Sequence, residues 1–349
     1  METLSNINKE IIVHNYKKKF RVKFLILCVA LSIIFLLLDI LIGSKSLSLS
    51  QVFFALMNQD NSTSSIIVWD IRMPMSLMAP LVGGALAVSG SQMQTTLNNP
   101  LADPYTFGLS AAASLGAGLV ITNVIYIPSI PQVYQISAMA FIFSIGTMLL
   151  LSFVSSIPRI SIEGVMLFGV ALMFSFDALL IMVQYIASDM QLQTLTFWKM
   201  GSLARGSWLK IEVLVIIIPI ILFILLKDSW KLSILKMGDN RAQSMGINVK
   251  YLRTKNLLLI SILTALSVSF VGAIGFIGLI APHITRMLIG EDQRFFIPVS
   301  FLIGAISLEL ASIAPKTILP GSILPLTVVM SLVGVPFLVF VIIKSGGKF

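Results

Sequence analysis

Apolar runs about twenty residues long recur along the whole chain, and no other feature constrains its fold so strongly. A helix needs ~20 apolar residues to cross the ~30 Å hydrocarbon core of a bilayer. Ten such segments can be marked, at about 24–43, 74–97, 107–127, 136–154, 164–187, 211–227, 256–274, 276–289, 296–314 and 324–343. The eighth is short and flanked by glycines, so it is expected to kink or to merge with the seventh. Only 11% of the 349 residues are charged, against roughly a quarter in soluble domains. The pattern predicts an all-α polytopic membrane protein with about ten transmembrane helices. No linker, low-complexity tract or soluble insert interrupts it, so residues 1–349 read as one domain.

The net charge of +9 does not point to nucleic acid, because its distribution follows the membrane. Lys17, Lys18, Lys19, Arg21 and Lys23 abut the first apolar run and read as a positive-inside anchor on a tail of about residues 1–23. That run resembles the start of a secretory signal, but it is long and no small-residue cleavage site follows, so it reads as a retained helix. Ten crossings starting inside leave Lys45, Arg72, Lys199, Arg205, Lys210 and Lys316 outside and 18 of the 24 Lys and Arg inside. Both termini are then expected in the cytoplasm of a multi-pass protein of the cell membrane.

The largest polar island, Lys227 to Lys255, falls on the inner side in this topology. It holds seven Lys and Arg against Asp228 and Asp239. Gly238 should break the chain, Asp239 can cap a helix, and Gly246 sits where a left-handed C-cap is required. A second short helix is expected from Asn248 to about Arg253. Two stubby basic helices between apolar runs form a handle.

Chemistry of the chain's own is hard to find. His14 and His283 belong to no cluster with metal-ligand spacing, and Cys28 is the single cysteine. No GxxxxGK[ST] phosphate loop occurs, so energy must come from a partner or a gradient and the chain is expected not to be an enzyme. Intramembrane carboxylates are the remaining candidates, since burying charge in lipid is costly and usually functional. Asp177 reads either as the polar wall of a translocation pathway or as a helix–helix hydrogen bond. Glu309 shares a helix face with Ser312, and Asp39 lies near the outer end of the first segment, within reach of water. Arg72 reads as a snorkelling interfacial arginine or as a docking charge for an outside partner. Small residues four apart, Gly83, Ala87 and Ser91, then Ser110, Ser114 and Gly118, predict close helix contacts. Gly272, Gly275 and Gly278 mark a further tight contact or a turn. An ion-coupled secondary transporter would need more acidic or histidine partners at depth than Asp177 and Glu309 supply.

Three ordered blocks resemble one known family. The first runs from Arg72 to Gly108: R-x-P, then VGGALAVSG-x-Q-x-Q, which includes Gln92, then NPLADP-x-x-x-G. The second is LKMGDNRAQSMGI with Arg253 downstream, and the third is GAIGFIGLIAPHITR, then G-x-x-x-R, then LVGVPF. From about Trp69 to Phe337 the chain resembles the permease subunits of ABC importers for iron–siderophore complexes, haem and vitamin B12. The resemblance implies ten helices per chain in the fold of the vitamin B12 permease, paired with a second permease subunit around a central pathway to which Asp177, Gln92 and Glu309 are assigned. It implies coupling helices at about residues 235–253, with Leu235, Gly238, Asp239, Ala242, Gly246 and Arg253 seated on an ABC ATPase dimer. ATP and Mg are then used by that partner, and no cofactor is expected on this chain. It further implies an extracytoplasmic binding protein docked on permease arginines, at positions that here are Arg72, Met75 and Lys316. Arg72 keeps the charge and the fork, Lys316 keeps only the charge, and Met75 has lost both.

Other departures stand near the end of the chain. Ala311-Ser312 replaces a usual Ala-Asp pair, with Glu309 one turn earlier as a substitute carboxylate. Ile323-Leu324-Pro325-Leu326-Thr327 replaces Glu-Leu-Pro-x-Gly. These changes favour a partner permease that is a different chain. The expected cargo is an iron–siderophore complex, ferric hydroxamate first, with haem or cobalamin as alternatives.

Overall fold

A computed structural model of the protein describes residues 2–43, 47–60, 62–157, 160–318 and 324–345. Lys45, Ile323 and the His14 side chain fall outside the described residues. The elements, in order, are α1 Glu2–Leu41, α2 Leu49–Met57, α3 Thr63–Ile66, a π-helical turn Ile67–Arg72 and α4 Met73–Thr96. Next come α5 Leu109–Ile121, α6 Gln132–Ser155, α7 Ile162–Tyr185, α8 Asp189–Lys199, a 3-10 turn Leu203–Arg205 and α9 Trp208–Lys227. The chain ends in α10 Ser229–Leu235, α11 Asp239–Ser244, α12 Val249–Val271, α13 Ile277–Ile289, α14 Gln293–Ile318 and α15 Leu326–Ser345.

Among the described residues, seven helical stretches are long and apolar enough to span a bilayer, and the shorter apolar α5, α13 and α15 account for the third, eighth and tenth segments. The tail is helical and continuous with the first span. The eighth segment does not merge with the seventh. Gly272 has φ +90° and ends α12, and α13 restarts at Ile277.

With lipid as solvent, hydrophobicity cannot drive one helix onto another, so close approach must. The α4–α14 crossing meets this demand with Gly83 against the Gly304 carbonyl and Gly304 against Ala87. A Cβ on Gly90 would collide with Gly278 of α13, and one on Gly116 with the Met139 carbonyl of α6. α4 is thus the most enclosed of the long spans, with every residue from Val82 to Thr96 buried. α7 is the opposite case, showing Leu167, Phe174, Ile181, Met182 and Tyr185 at its surface.

Three non-helical strips meet inside the fold. Ser202 N–H donates to the Val271 carbonyl at 2.7 Å, Leu326 N–H to Gly201 at 3.3 Å and Thr327 N–H to Met200 at 3.2 Å. The Thr327 hydroxyl donates to the Ala273 carbonyl at 2.7 Å. Irregular backbone is tolerated at such depth because protein, not lipid, satisfies it. The glycine triplet therefore serves a turn at Gly272 and a contact at Gly278.

Candidate coupling surface and translocation face

The handle is two short helices set on a buried floor. Leu232, Ile234, Leu235, Ala242, Ile247, Val249 and Leu252 point inward, while Trp230, Met237, Met245 and Tyr251 are exposed along with Arg241 and Lys250. Gly238 (φ +108°) separates α10 from α11, a conformation that a side chain would strain. Gly246 (φ +78°) closes α11 with two bonds, Ile247 N–H to Ala242 at 3.1 Å and Gly246 N–H to Gln243 at 2.9 Å. This is the Schellman pairing that a left-handed C′ glycine permits.

Two local expectations need correction. Asp239 does not cap α11: Gly238 is the N-cap, with no side-chain cap bond. The Asp239 carboxylate instead takes Arg253 Nη2 at 2.9 and 3.0 Å. The helix expected at Asn248 to Arg253 is not short either. Asn248 caps α12, accepting from Tyr251 N–H at 3.0 Å, and no glycine or proline stops that helix before Gly272. The second short helix is α10, upstream of Gly238.

Ion pairs tie this surface to the ends of the packed helices along two arms. In one, Asp239 holds Arg253, whose Nε donates to the Thr96 carbonyl at the end of α4 at 3.2 Å. In the other, Lys236 lies 3.4 Å from Glu291, which Arg286 Nε reaches at 2.6 Å. Arg286 Nη2 then donates to Gln94 Oε1 at 2.9 Å, and Gln94 Nε2 to the Gly278 carbonyl at 3.2 Å. Burial works to raise the Glu291 carboxyl, but Lys236 and Arg286 outweigh it and hold it below the ordinary carboxylate range. Lys236 is pulled down by its own burial, with the nearby Arg286 adding to the shift against the pull of Glu291. Arg21 of α1 joins the same face through Asp292 at 3.0 Å and the Ile289 carbonyl at 3.0 Å.

Gln92 belongs to this interior rather than to an open path. It is wholly buried, and its Nε2 donates to Gln293 Oε1 at 2.9 Å. Gln293 Nε2 reaches the Thr95 hydroxyl at 3.2 Å, and Asn256 Nδ2 bonds Thr96 Oγ1 and the Gln92 carbonyl. The phase of α4 turns Gln92 toward α12 and α14. Sequence reasoning missed Glu291, Arg286, Asn256 and Gln293; an acidic pair, Glu291-Asp292, standing in an otherwise basic face was the available signal.

The opposite end of the molecule is built around buried charge. Arg72 is 6% exposed. Its Nη1 donates to the last carbonyls of α1, Ile40 at 3.0 Å and Leu41 at 2.9 Å. A cation at a helix C-terminus complements the macrodipole, and Gly43 leaves room for the guanidinium. Asp39, expected within reach of water, is fully buried and takes Lys316 Nζ at 2.7 Å and the Ser312 hydroxyl at 3.1 Å. Arg72, Met75 and Lys316 nevertheless converge, lining one mainly apolar cavity of about 270 Å³.

The three pathway candidates do not meet. Glu309 is wholly buried against α1, with Oε1 accepting from the Ser32 hydroxyl at 2.9 Å and Oε2 without a partner among the described residues. It does not replace an acid beside Ser312; Asp39 fills that role from another helix. Asp177 is half-buried and opens on a separate cavity of about 180 Å³ between α5, α7 and α8.

Known proteins resemble this chain in sequence and fold. The chain is 34% identical over 315 residues to the hemin transport system permease protein of Yersinia pestis, covering 90% of this chain and 94% of that one. It is 31% identical over 309 residues to the vitamin B12 import system permease protein of Vibrio parahaemolyticus, covering 88% and 91%. A metal-chelate type ABC transporter solved in an inward-facing conformation superposes with a TM-score of 0.81 at 28% identity, over 92% of this chain and 99% of that one. The model of the FecCD transport family matches residues 30–344. With the family's three sequence blocks folded into these packed helices, the chain belongs to the FecCD transport family, the multi-pass permeases of ABC importers for haem, vitamin B12 or iron chelates.

Proposed function

We propose that the chain moves an iron–siderophore complex, a ferric hydroxamate in the first instance, across the cytoplasmic membrane on energy from a partner ATPase dimer. The observation that carries this reading is the handle. An exposed face bearing Arg241, Lys250, Met237 and Tyr251 is joined by ion pairs to the ends of α4, α12 and α13. Closure of the nucleotide dimer, with ATP and Mg bound there, would push on this face and turn those helices. The positive-inside bias supports a cytoplasmic handle and cytoplasmic termini.

On the far side an extracytoplasmic binding protein docks over the cavity of Arg72, Met75 and Lys316. Because both charges are held inside the chain, they act by fixing the mouth, and a second, different permease chain supplies the missing arginine. Haem or cobalamin is the second reading, favoured by relatives at 34% and 31% identity named for those cargoes.

Uptake of radio-iron from hydroxamate, catecholate and haem sources, with labelled cobalamin as a fourth arm, tests the reading in a deletion strain. Loss should be confined to ferric hydroxamate, restored by the wild-type gene and not by one carrying Gly238→Val and Gly246→Val. Loss confined to haem or cobalamin would assign the cargo to the second reading. Uptake that depends on the proton gradient, with no ATPase co-purifying, would replace the ATP-driven mechanism with ion coupling.

A further inference from the structure

The cavity beside Asp177 gathers several polar side chains that have no hydrogen-bond partner among the described residues. Asp177 stands on α7, ~12 Å from its outer end at about 1.5 Å per residue, too deep to reach the headgroups. Tyr105, Ser110 and Lys199 line the same cavity, with Met173 as an apolar wall. No hydrogen bond or ion pair joins the Asp177 carboxylate, the Lys199 ammonium, the Tyr105 hydroxyl or the Ser110 hydroxyl to any described residue. Ser114 differs, since its hydroxyl returns to the Ser110 carbonyl at 2.7 Å. An ionised carboxylate at this depth is costly unless it faces water or a ligand. Gln92 and Glu309 show the alternative, being packed between helices of their own chain.

We propose that Asp177, Lys199, Tyr105 and Ser110 form a polar station that engages the cargo by its edge. The volume of about 180 Å³ is below the ~300 Å³ at which pockets begin to enclose a drug-sized ligand. The station therefore takes one arm of a chelate rather than the whole. It offers an acceptor at Asp177, cationic donors at Lys199, and two hydroxyls able to do either. That set matches the amide and hydroxyl groups bordering the iron-bound hydroxamates of a neutral ferric hydroxamate, whose N–H or O–H donors and C=O acceptors stay free of the metal. A polyanionic catecholate chelate, or the propionate edge of haem, would meet Asp177 as a like charge. The inference rests on the importer reading above and adds the chemistry that selects among its cargoes.

The test uses the complete complex in proteoliposomes with its binding protein, and ferric hydroxamate, ferric catecholate and haem as probes. Asp177→Leu and Lys199→Met should each raise KM for ferric hydroxamate about tenfold, the scale of one charged hydrogen bond, with a smaller change in the rate at saturation. Asp177→Asn should shift the preference toward the anionic catecholate, and Asp177→Glu should restore the wild-type order. Wild-type transport of hydroxamate with KM unmoved in all variants would overturn the station and leave the importer reading standing. Wild-type transport of haem instead would overturn the hydroxamate reading and the station's ligand class together. Loss of saturating rate alone, with unchanged KM and preference, would assign Asp177 to contact with the second permease and overturn the station.

Discussion

At the scale of single residues, most of the polar side chains that matter act through a partner distant in sequence. Arg21 to Asp292, Asp39 to Lys316 and Gln94 to Arg286 each join segments far apart in the chain. Glu291 illustrates the energetics. Its carboxyl is held low by Lys236 and Arg286 against the opposing effect of burial. A depressed acid stabilises above its unfolded pKa and loses that contribution as pH falls through the folded value. Thermal stability of the purified protein should therefore be insensitive to this group from pH 8 down to about 5 and decline only below pH ~4. Glu291→Gln should remove that acid limb and lower transport per ATP by up to about fivefold, the scale of one partly exposed ion pair.

Glycine contacts make a sharper prediction at the same scale. Gly304 lies against Ala87 and the Gly83 carbonyl, so any larger side chain must separate α4 from α14. Gly304→Leu should cost ~1–3 kcal/mol or more from overpacking, read as a lowered melting temperature in detergent. Gly146, with nothing within 4 Å of a built Cβ, is the matched control: Gly146→Ala should leave the melting temperature unchanged or raise it slightly.

Among the elements, the helices themselves were legible because hydropathy reports length and depth directly. All ten apolar segments coincide with helices, and the handle was visible as a polar island punctuated by Gly238 and Gly246. The rotation of each helix was not legible. Gln92 and Glu309 looked like pathway residues, yet α4 and α14 turn them toward neighbouring helices, while Asp177 faces a cavity. Small-residue spacing announced that α4 is crowded without naming Gly304 or Gly278 as what crowds it. The fate of Asp239 had the same cause, because a helix-capping acid and a salt-bridge acid look alike until Arg253 is placed beside it. The handle's glycines give the element-scale prediction: Gly238→Ala, at φ +108°, should destabilise α11 by ~1–2 kcal/mol and loosen ATPase association, measured by co-purification.

Across the whole molecule, one face is rich in Lys and Arg and carries the handle, and the opposite end buries Arg72, Lys210 and Asp39. The two ends are connected by α4, which reaches Arg72 at one limit and Thr96 at the other. Arg72→Glu should release the Ile40 and Leu41 carbonyls and weaken docking of the binding protein, measured as affinity in a reconstituted complex; unchanged affinity would remove Arg72 from that role. Cargo choice is the property least legible in the sequence, because it depends on which side chains face the pathway, and helix rotation is not read from sequence.

The buried junction of non-helical strips has a consequence for how the protein is made. The Gly201, Met200 and Ala273 carbonyls wait for Leu326 and Thr327, which leave the ribosome more than fifty residues after Ala273. Until then the centre of the nascent chain holds acceptors that lipid cannot satisfy. Closure of the middle is thus deferred to the last helix, and synthesis halted before Leu326 should yield an inserted intermediate that proteases cut near Gly201.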